Sequence, residues 1–198
     1  MEHKYALSGN DNYIFKPLTR ELWPQLEELF GPRGACGNCW CMYPRLTKKD
    51  FNEGKKEKGN KKALKKLIWE NKPTGILAFH GDKAIAWCAF APREVMLRLE
   101  NSRVHKRIDD LPVWSIPCLF IHKDYRRKGV TVELLKAVIS IARDNKVGVV
   151  EAYPAIEVKK GLPDSFIWFG KYRSFEKAGF KIVSQRSQNR PMVRYYIE

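Results

Sequence analysis

Apolar residues along this chain switch repeatedly between the spacing of a helix and that of a strand. Tyr13-Ile-Phe-Lys-Pro-Leu reads as a short strand ending at Thr19, a helix-capping residue type; Leu22, Leu26, Leu29 and Phe30 then recur on one helical face. Pro24 fits only the first turn of that helix, because it has no N–H to donate and its ring clashes with a preceding turn. Gly31-Pro-Arg-Gly stops the helix and opens a long irregular segment holding Cys36, Cys39, Trp40, Cys41 and Tyr43. Asn60 is a suitable cap for a helix running to about Asn71, with Leu64, Leu67 and Ile68 on one side.

Thr74–His80 and Ala84–Ala91 are apolar runs separated by Gly81-Asp82-Lys83, which predicts a hairpin. Residues 92–112 are charged and aperiodic, a connection with a short helix around Val95–Arg103. Val113–Ile121 is continuously apolar and reads as a central strand covered on both faces, yet Pro117 stands in its middle. Proline cannot donate to a ladder, so a bulge or a splaying of strands is expected there. Leu134, Leu135, Val138, Ile141 and Ala142 mark an amphipathic helix from about Gly129 to Asn145, and Val147–Tyr153 is the next strand. A loop over 155–169, a short helix over Gly170–Ala178 stopped by Gly179, and a hairpin of Phe180–Arg186 with Met192–Ile197 complete the chain. This order predicts an α/β sandwich built on a mixed sheet, and with no linker or composition shift, one domain over residues 1–198.

At 198 residues and 44% hydrophobic content the chain can fill a core without disulfides or a structural metal. No apolar run is long enough to span a bilayer and MEHKYALSGNDNY lacks the apolar stretch of a signal peptide, so a cytoplasmic protein with no membrane partner is expected. An odd number of cysteines fits a reducing compartment better than a disulfide framework. The net charge of +15 admits nucleic acid, an anionic ligand or a merely solvated surface. The lysines between Lys48 and Lys66 fall opposite the apolar positions, on a wet helical face, which makes nucleic acid the weaker reading.

Asp124–Thr131, DYRRKGVT, lies between the buried strand and the amphipathic helix. Such a turn presents free backbone N–H groups and the positive end of the helix dipole, a cradle suited to a diphosphate. Arg126, Arg127 and Lys128 add charge, and Gly129 lets the backbone approach closely. Together with Phe175-Glu-Lys-Ala-Gly-Phe180, this stretch resembles the Gcn5-related N-acetyltransferases (GNAT), whose acetyl-CoA signature is Arg/Gln-x-x-Gly-x-Gly/Ala and whose carboxy-terminal motif reads Tyr-Glu-Lys-x-Gly-Phe. Thr131 departs from the small residue preferred in the signature, and Phe175 replaces the tyrosine that in many members protonates departing coenzyme A. The resemblance implies a mixed, mostly antiparallel sheet flanked by helices, with central strands splayed at the cofactor. It implies that Leu119, Phe120 and Ile121 pair with the pantetheine arm and that Arg126, Arg127, Lys128, Gly129, Val130 and Thr131 hold the diphosphate of acetyl-CoA as co-substrate.

Direct transfer to an amine needs a neutral amine, a polarised thioester carbonyl and a proton for the thiolate. A backbone N–H near Leu119 can polarise the carbonyl. Glu151, a carboxylate in the apolar run VVEAYP, is the candidate base, the alternative being a structural salt bridge to one of the arginines. Tyr172, close to Phe175, is the substitute proton donor, the alternative being packing or a surface position. Cys36-x-x-Cys39 is half of a zinc site with no second half, so no metal is expected. Trp40, Met42 and Tyr43 are candidates to line an acceptor pocket. A basic chain repels polyamines and aminoglycosides unless acids such as Asp109, Asp110, Glu151 and Asp164 gather at the cleft; an amino acid, an acidic amine or a protein amino terminus suits it better. The rivals are a domain of the same fold that binds acyl-CoA without catalysis, and a basic nucleic-acid-binding protein. A homodimer stays open.

Overall fold

The computed structural model describes residues 13–157 and 167–198. Strands β1 (Tyr13–Pro17), β2 (Gly75–His80), β3 (Lys83–Pro92), β4 (Val113–Ile121), β5 (Val149–Ala152), β6 (Lys181–Ser184) and β7 (Met192–Tyr196) form one sheet in the order β1-β2-β3-β4-β5-β7-β6. Only β4 and β5 run parallel, joined by the crossover helix α5 (Val130–Asp144); every other pair is antiparallel. The remaining helices are α1 (Trp23–Phe30), α2 (Lys48–Gly54), α3 (Gly59–Trp69), α4 (Leu97–Glu100) and α6 (Tyr172–Lys177). The mixed, mostly antiparallel sheet flanked by helices is the architecture expected from the sequence.

Strand alternation sends neighbours in β3 to opposite layers. Cys88 and Phe90 pack on the face covered by α5 and α6, while Trp87 and Ala89 meet α1, α3 and the cysteine segment on the other face. Trp87 has no exposed surface, which explains the uninterrupted apolar run: β3 is covered on both sides. In α3, Leu64 and Ile68 are buried as the periodicity required, and some of its lysines find partners. Lys61 pairs with Glu27, and Lys65 stands 4.7 Å over the Trp69 ring.

Two local expectations are corrected. Asn60 does not cap α3; the cap position is Lys58, and the buried Asn60 amide donates to the carbonyls of Asn38 and Phe51, tying α3 to the preceding segments. Within the supposedly irregular stretch, Thr47 caps α2, its hydroxyl oxygen accepting from the Asp50 N–H at 3.2 Å.

Pro117 sits where both expected irregularities coincide. The β3–β4 register passes from Ala89↔Cys118 to Ala91↔Ser115, placing Ile116 and Pro117 in a bulge. Pairing of β4 with β5 stops at Ile116↔Ala152. Beyond it the two strands diverge, and a cleft opens between them.

Candidate active site

The cleft, about 850 Å³, starts at the splayed half of β4. Leu119, Phe120 and Ile121 line it, as do Arg126, Arg127, Gly129, Val130 and Thr131 from the turn into α5. Lys128 alone of the expected cofactor residues stands apart, its ammonium 5.5 Å over the Tyr125 ring. Arg126 is pinned to the strand end, donating through Nε to the Ile121 carbonyl at 3.0 Å.

The backbone of the turn explains how it is built. Arg127 (φ 62°) and Gly129 (φ 80°) are left-handed, which turns successive N–H groups to one side. The first hydrogen bond inside α5 is Val132 N–H to Gly129 O at 2.9 Å, and the N–H groups of Arg127 through Thr131 have no acceptor among the described residues. A Cβ built on Gly129 would meet nothing within 4 Å, so the space above this row of donors is open. Orphan N–H groups at the start of a long helix, under open space, make a cradle suited to an anion.

Across the splay, the Leu119 N–H donates to the Trp168 carbonyl at 2.6 Å. The amide expected to polarise a thioester thus holds a carbonyl oxygen of the segment after β5.

The opposite wall comes from the segment between α1 and α2. Ala35, Asn38, Trp40 and Cys41 are non-glycine residues in the left-handed region. The segment is held there by Trp40, which is 4% exposed, stacked on Trp23 at 5.7 Å and tilted on Phe30 at 5.5 Å. Gly34 is required by that packing, since a Cβ there would lie 2.1 Å from Trp40 Nε1. Trp40 and Met42 are therefore core residues, and of the acceptor-pocket candidates only Tyr43 lines the cleft. Its ring meets Phe51 at 5.3 Å and Trp168 at 5.7 Å, edge to face, forming an aromatic wall.

Cys36, Cys39, Cys41 and Cys118 also border the cleft, with Cys41 Sγ 3.1 Å from Cys118 Sγ. Burial, reinforced by Cys41, pushes the Cys39 thiol up to about 12, and the hydrogen bond with Cys41 followed by burial raises Cys118. Cys39 and Cys118 therefore stay protonated near neutrality and are poor nucleophiles. Among the described residues no group of His, Cys, Asp or Glu side chains is placed to hold a metal ion, and no helix is long and apolar enough to cross a membrane.

Glu151 does not face the cleft. It is wholly buried and accepts from Arg93 Nη1, from the Tyr153 hydroxyl at 2.5 Å and from Arg194 Nε at 2.8 Å. Arg93 in turn binds Glu100, and Arg194 binds Asp109. A carboxylate whose oxygens are engaged by two guanidinium groups and a phenol has the surroundings of a structural ion pair, and no acceptor amine can reach it. The Tyr153 phenol is driven well above its ordinary value by burial and then by Glu151. Tyr172 is half-buried against the layer under α5; its neighbours Lys171, Arg173 and Ser174 border the cleft and it does not. Burial and Glu176 raise its phenol. Phe175 is fully buried, so its position delivers no proton. Asp109 is engaged by Arg194 and Asp164 lies outside the described residues; Asp110 is not at the cleft. Residues that sequence reasoning missed are Trp168 and Lys55, which border the cleft from distant segments.

The Acetyltransferase (GNAT) family profile matches residues 42–161. Among curated proteins no match is found. Solved structures share the fold at low identity. The PaiA N-acetyltransferase of Thermoplasma acidophilum in complex with coenzyme A aligns over 93% of this chain and 98% of its own, with 14% identity and a TM-score of 0.53. A GNAT acetyltransferase of Streptococcus agalactiae covers 94% and 96% with 11% identity and a TM-score of 0.55. The ribosomal-protein-S5-alanine acetyltransferase of Vibrio fischeri covers 96% of both chains with 10% identity and a TM-score of 0.53. A family match over more than half the sequence, on a sheet that splays beside a helix-start anion cradle, makes this chain a member of the GNAT acetyltransferase family.

Proposed function

We propose that residues 1–198 form one acyl-CoA N-acyltransferase domain that moves the acetyl group of acetyl-CoA directly onto an amine of a small molecule or peptide. The observation that carries this is the row of unpartnered N–H groups from Arg127 to Thr131, beside a β4 edge that β5 has left. The cradle takes the diphosphate, and the main-chain edge of Leu119–Ile121 takes the pantetheine arm.

In the transfer, the amine lone pair attacks the thioester carbonyl, the N–C bond forms and the C–S bond breaks. One amine proton is lost, and the coenzyme leaves as thiolate to be protonated. Lys55, Arg126, Arg127, Lys171, Arg173 and Lys177 border the cleft, and no Asp or Glu among the described residues does. A field of that sign works in both directions. It disfavours an ammonium, keeping the acceptor amine neutral, and it stabilises the departing thiolate. Positioning of two substrates can supply up to roughly 7–11 kcal/mol of barrier reduction, so neither step demands a dedicated acid or base. Glu151 then serves the fold, and Tyr172 is dispensable to chemistry.

The test is thermal unfolding with acetyl-CoA, followed by amine-dependent release of free coenzyme A thiol. At a hundredfold excess over the dissociation constant the ligand should add about 2.7 kcal/mol of stability. No stabilisation would end the cofactor reading. Because Phe175 replaces a tyrosine, binding without catalysis is the second reading; it is favoured if acetyl-CoA stabilises the protein yet no amine releases thiol.

A further inference from the structure

Two thiols that the proposed transfer does not use meet at the cleft. Cys41 Sγ lies 3.1 Å from Cys118 Sγ, one thiol donating to the other, although 77 residues separate them in the chain. Both are buried in the fold yet border the cleft, so a small solute reaches them through it. The other cysteines lack this geometry. Cys36 is exposed, Cys39 is half-buried, and Cys88 is buried away from the cleft, its thiol donating to the Ala89 carbonyl at 3.6 Å. Among the described residues no other two cysteine sulfurs are in hydrogen-bond contact.

The two sides of the contact differ in freedom. Trp40 and Cys41 are successive left-handed residues, each with φ 47°, held by the packing of Trp40 on Trp23 and Phe30. Cys118 follows the bulge at Ile116 and Pro117, in the part of β4 that has lost its β5 neighbour. A disulfide bond is about 2.05 Å long, so closing the gap takes about 1 Å, and β4 is the side that yields. The residue that moves with Cys118 is Leu119, where the main-chain edge for the pantetheine arm begins.

We propose that Cys41 and Cys118 form a dithiol that a hydroperoxide converts to a disulfide, and that this bond draws β4 away from the pantetheine arm. The effect on the cofactor rests on the acetyl-CoA reading above; the bond itself does not. With hydrogen peroxide, the Cys41 sulfur attacks one oxygen, the O–O bond breaks, the thiol proton goes to the departing oxygen, and a sulfenic acid and water result. The Cys118 sulfur then attacks the Cys41 sulfur, the S–O bond breaks, and the Cys118 proton leaves with the hydroxyl as a second water. Two thiols are oxidised to one disulfide and the peroxide is reduced to water. The hydrogen bond with Cys41 and burial keep the Cys118 thiol protonated, and contact with its target sulfur supplies the positioning that offsets its low reactivity. A thiol reductant reverses the bond by exchange.

The experiment treats the full chain with hydrogen peroxide, maps disulfides by non-reducing peptide mass spectrometry, and titrates acetyl-CoA and adenosine diphosphate calorimetrically before and after. A Cys41–Cys118 cross-linked peptide should appear and should vanish with dithiothreitol. Loss of the Leu119 hydrogen bond should weaken acetyl-CoA binding about five- to tenfold, while adenosine diphosphate, which uses the cradle and lacks the arm, binds as before. Cys41→Ala and, separately, Cys118→Ala should each abolish the change in affinity, and Cys36→Ser combined with Cys39→Ser should leave the cross-link in place. Peroxide that oxidises Cys36 without joining Cys41 to Cys118 would overturn the proposal. So would a bond that forms with acetyl-CoA affinity unchanged, or with adenosine diphosphate weakened equally. Failure of acetyl-CoA to bind the reduced protein would instead overturn the cofactor reading, and the peptide map would still decide whether the two thiols pair.

Discussion

Replacing Glu151 by glutamine separates a structural carboxylate from a catalytic one. The side chain keeps its shape but loses its charge, leaving Arg93 and Arg194, both essentially unexposed, without their shared anion. Removing one partner of a buried ion pair costs about 3–5 kcal/mol. Here Arg93 retains Glu100 and Arg194 retains Asp109, and the glutamine oxygen still accepts one bond, so the lower end, about 3 kcal/mol, is expected. For 198 residues the unfolding entropy is about 0.4 kcal/mol per kelvin, so Tm should fall by about 7 °C. The assay is calorimetric or fluorescence-monitored unfolding, run beside amine-dependent thiol release at a temperature where both proteins are folded. Once corrected for the folded fraction, kcat should change by less than threefold. A general base would give the reverse pattern, a loss of about 10²–10⁴ in rate. An unchanged Tm with a hundredfold drop in kcat would refute the structural assignment.

Other outcomes follow from the same geometry. Gly129→Glu should abolish stabilisation by acetyl-CoA, because it imposes a side chain on a left-handed residue and sets a carboxylate in the open space above the cradle; Arg127→Ala should only weaken it, about tenfold, because the main chain supplies most of the bonds. Burial holds His105 below its ordinary 6.5, so the unfolded chain takes up its proton first and stability should begin to fall as pH drops below 6.5. The Arg194 hydrogen bond holds Asp109 below 3.8, which adds a second loss as pH falls through its lowered native value. His105→Gln should flatten only the upper limb of a urea-midpoint against pH curve.

The parts of the fold that rest on local chemistry could be read from the chain. The continuous apolar run of β4 announced a strand covered on both faces, Pro117 announced its splay, and the glycine after three cations announced the cradle. The Thr47-Lys-Lys-Asp50 box is a legible start signal for α2, but a helix with one buried residue, Phe51, carries no apolar periodicity to go with it. What stayed hidden depends on partners far apart in sequence. Glu151 meets Arg93 and Arg194 across 58 and 43 residues, and among so many arginines nothing local singles these out. The meeting of Tyr43 with Trp168 is likewise made only by the folded chain. Without it, Tyr43 is one aromatic in a cysteine-rich loop, with no sign that Arg98 lies 4.1 Å from its ring centroid.

Trp168 serves both sides of the cleft at once: its carbonyl occupies the Leu119 amide and its ring belongs to the wall against Tyr43. A pantetheine arm that claims the Leu119 amide must displace that carbonyl, and the indole moves with the backbone that carries it. On the proposed transfer reading, the acceptor surface in the absence of cofactor would therefore differ from the one an acceptor meets during turnover. Under the proposed transfer this arrangement predicts ordered binding, acetyl-CoA first and the amine second. Product inhibition would record it, with coenzyme A competing against acetyl-CoA and not against the amine.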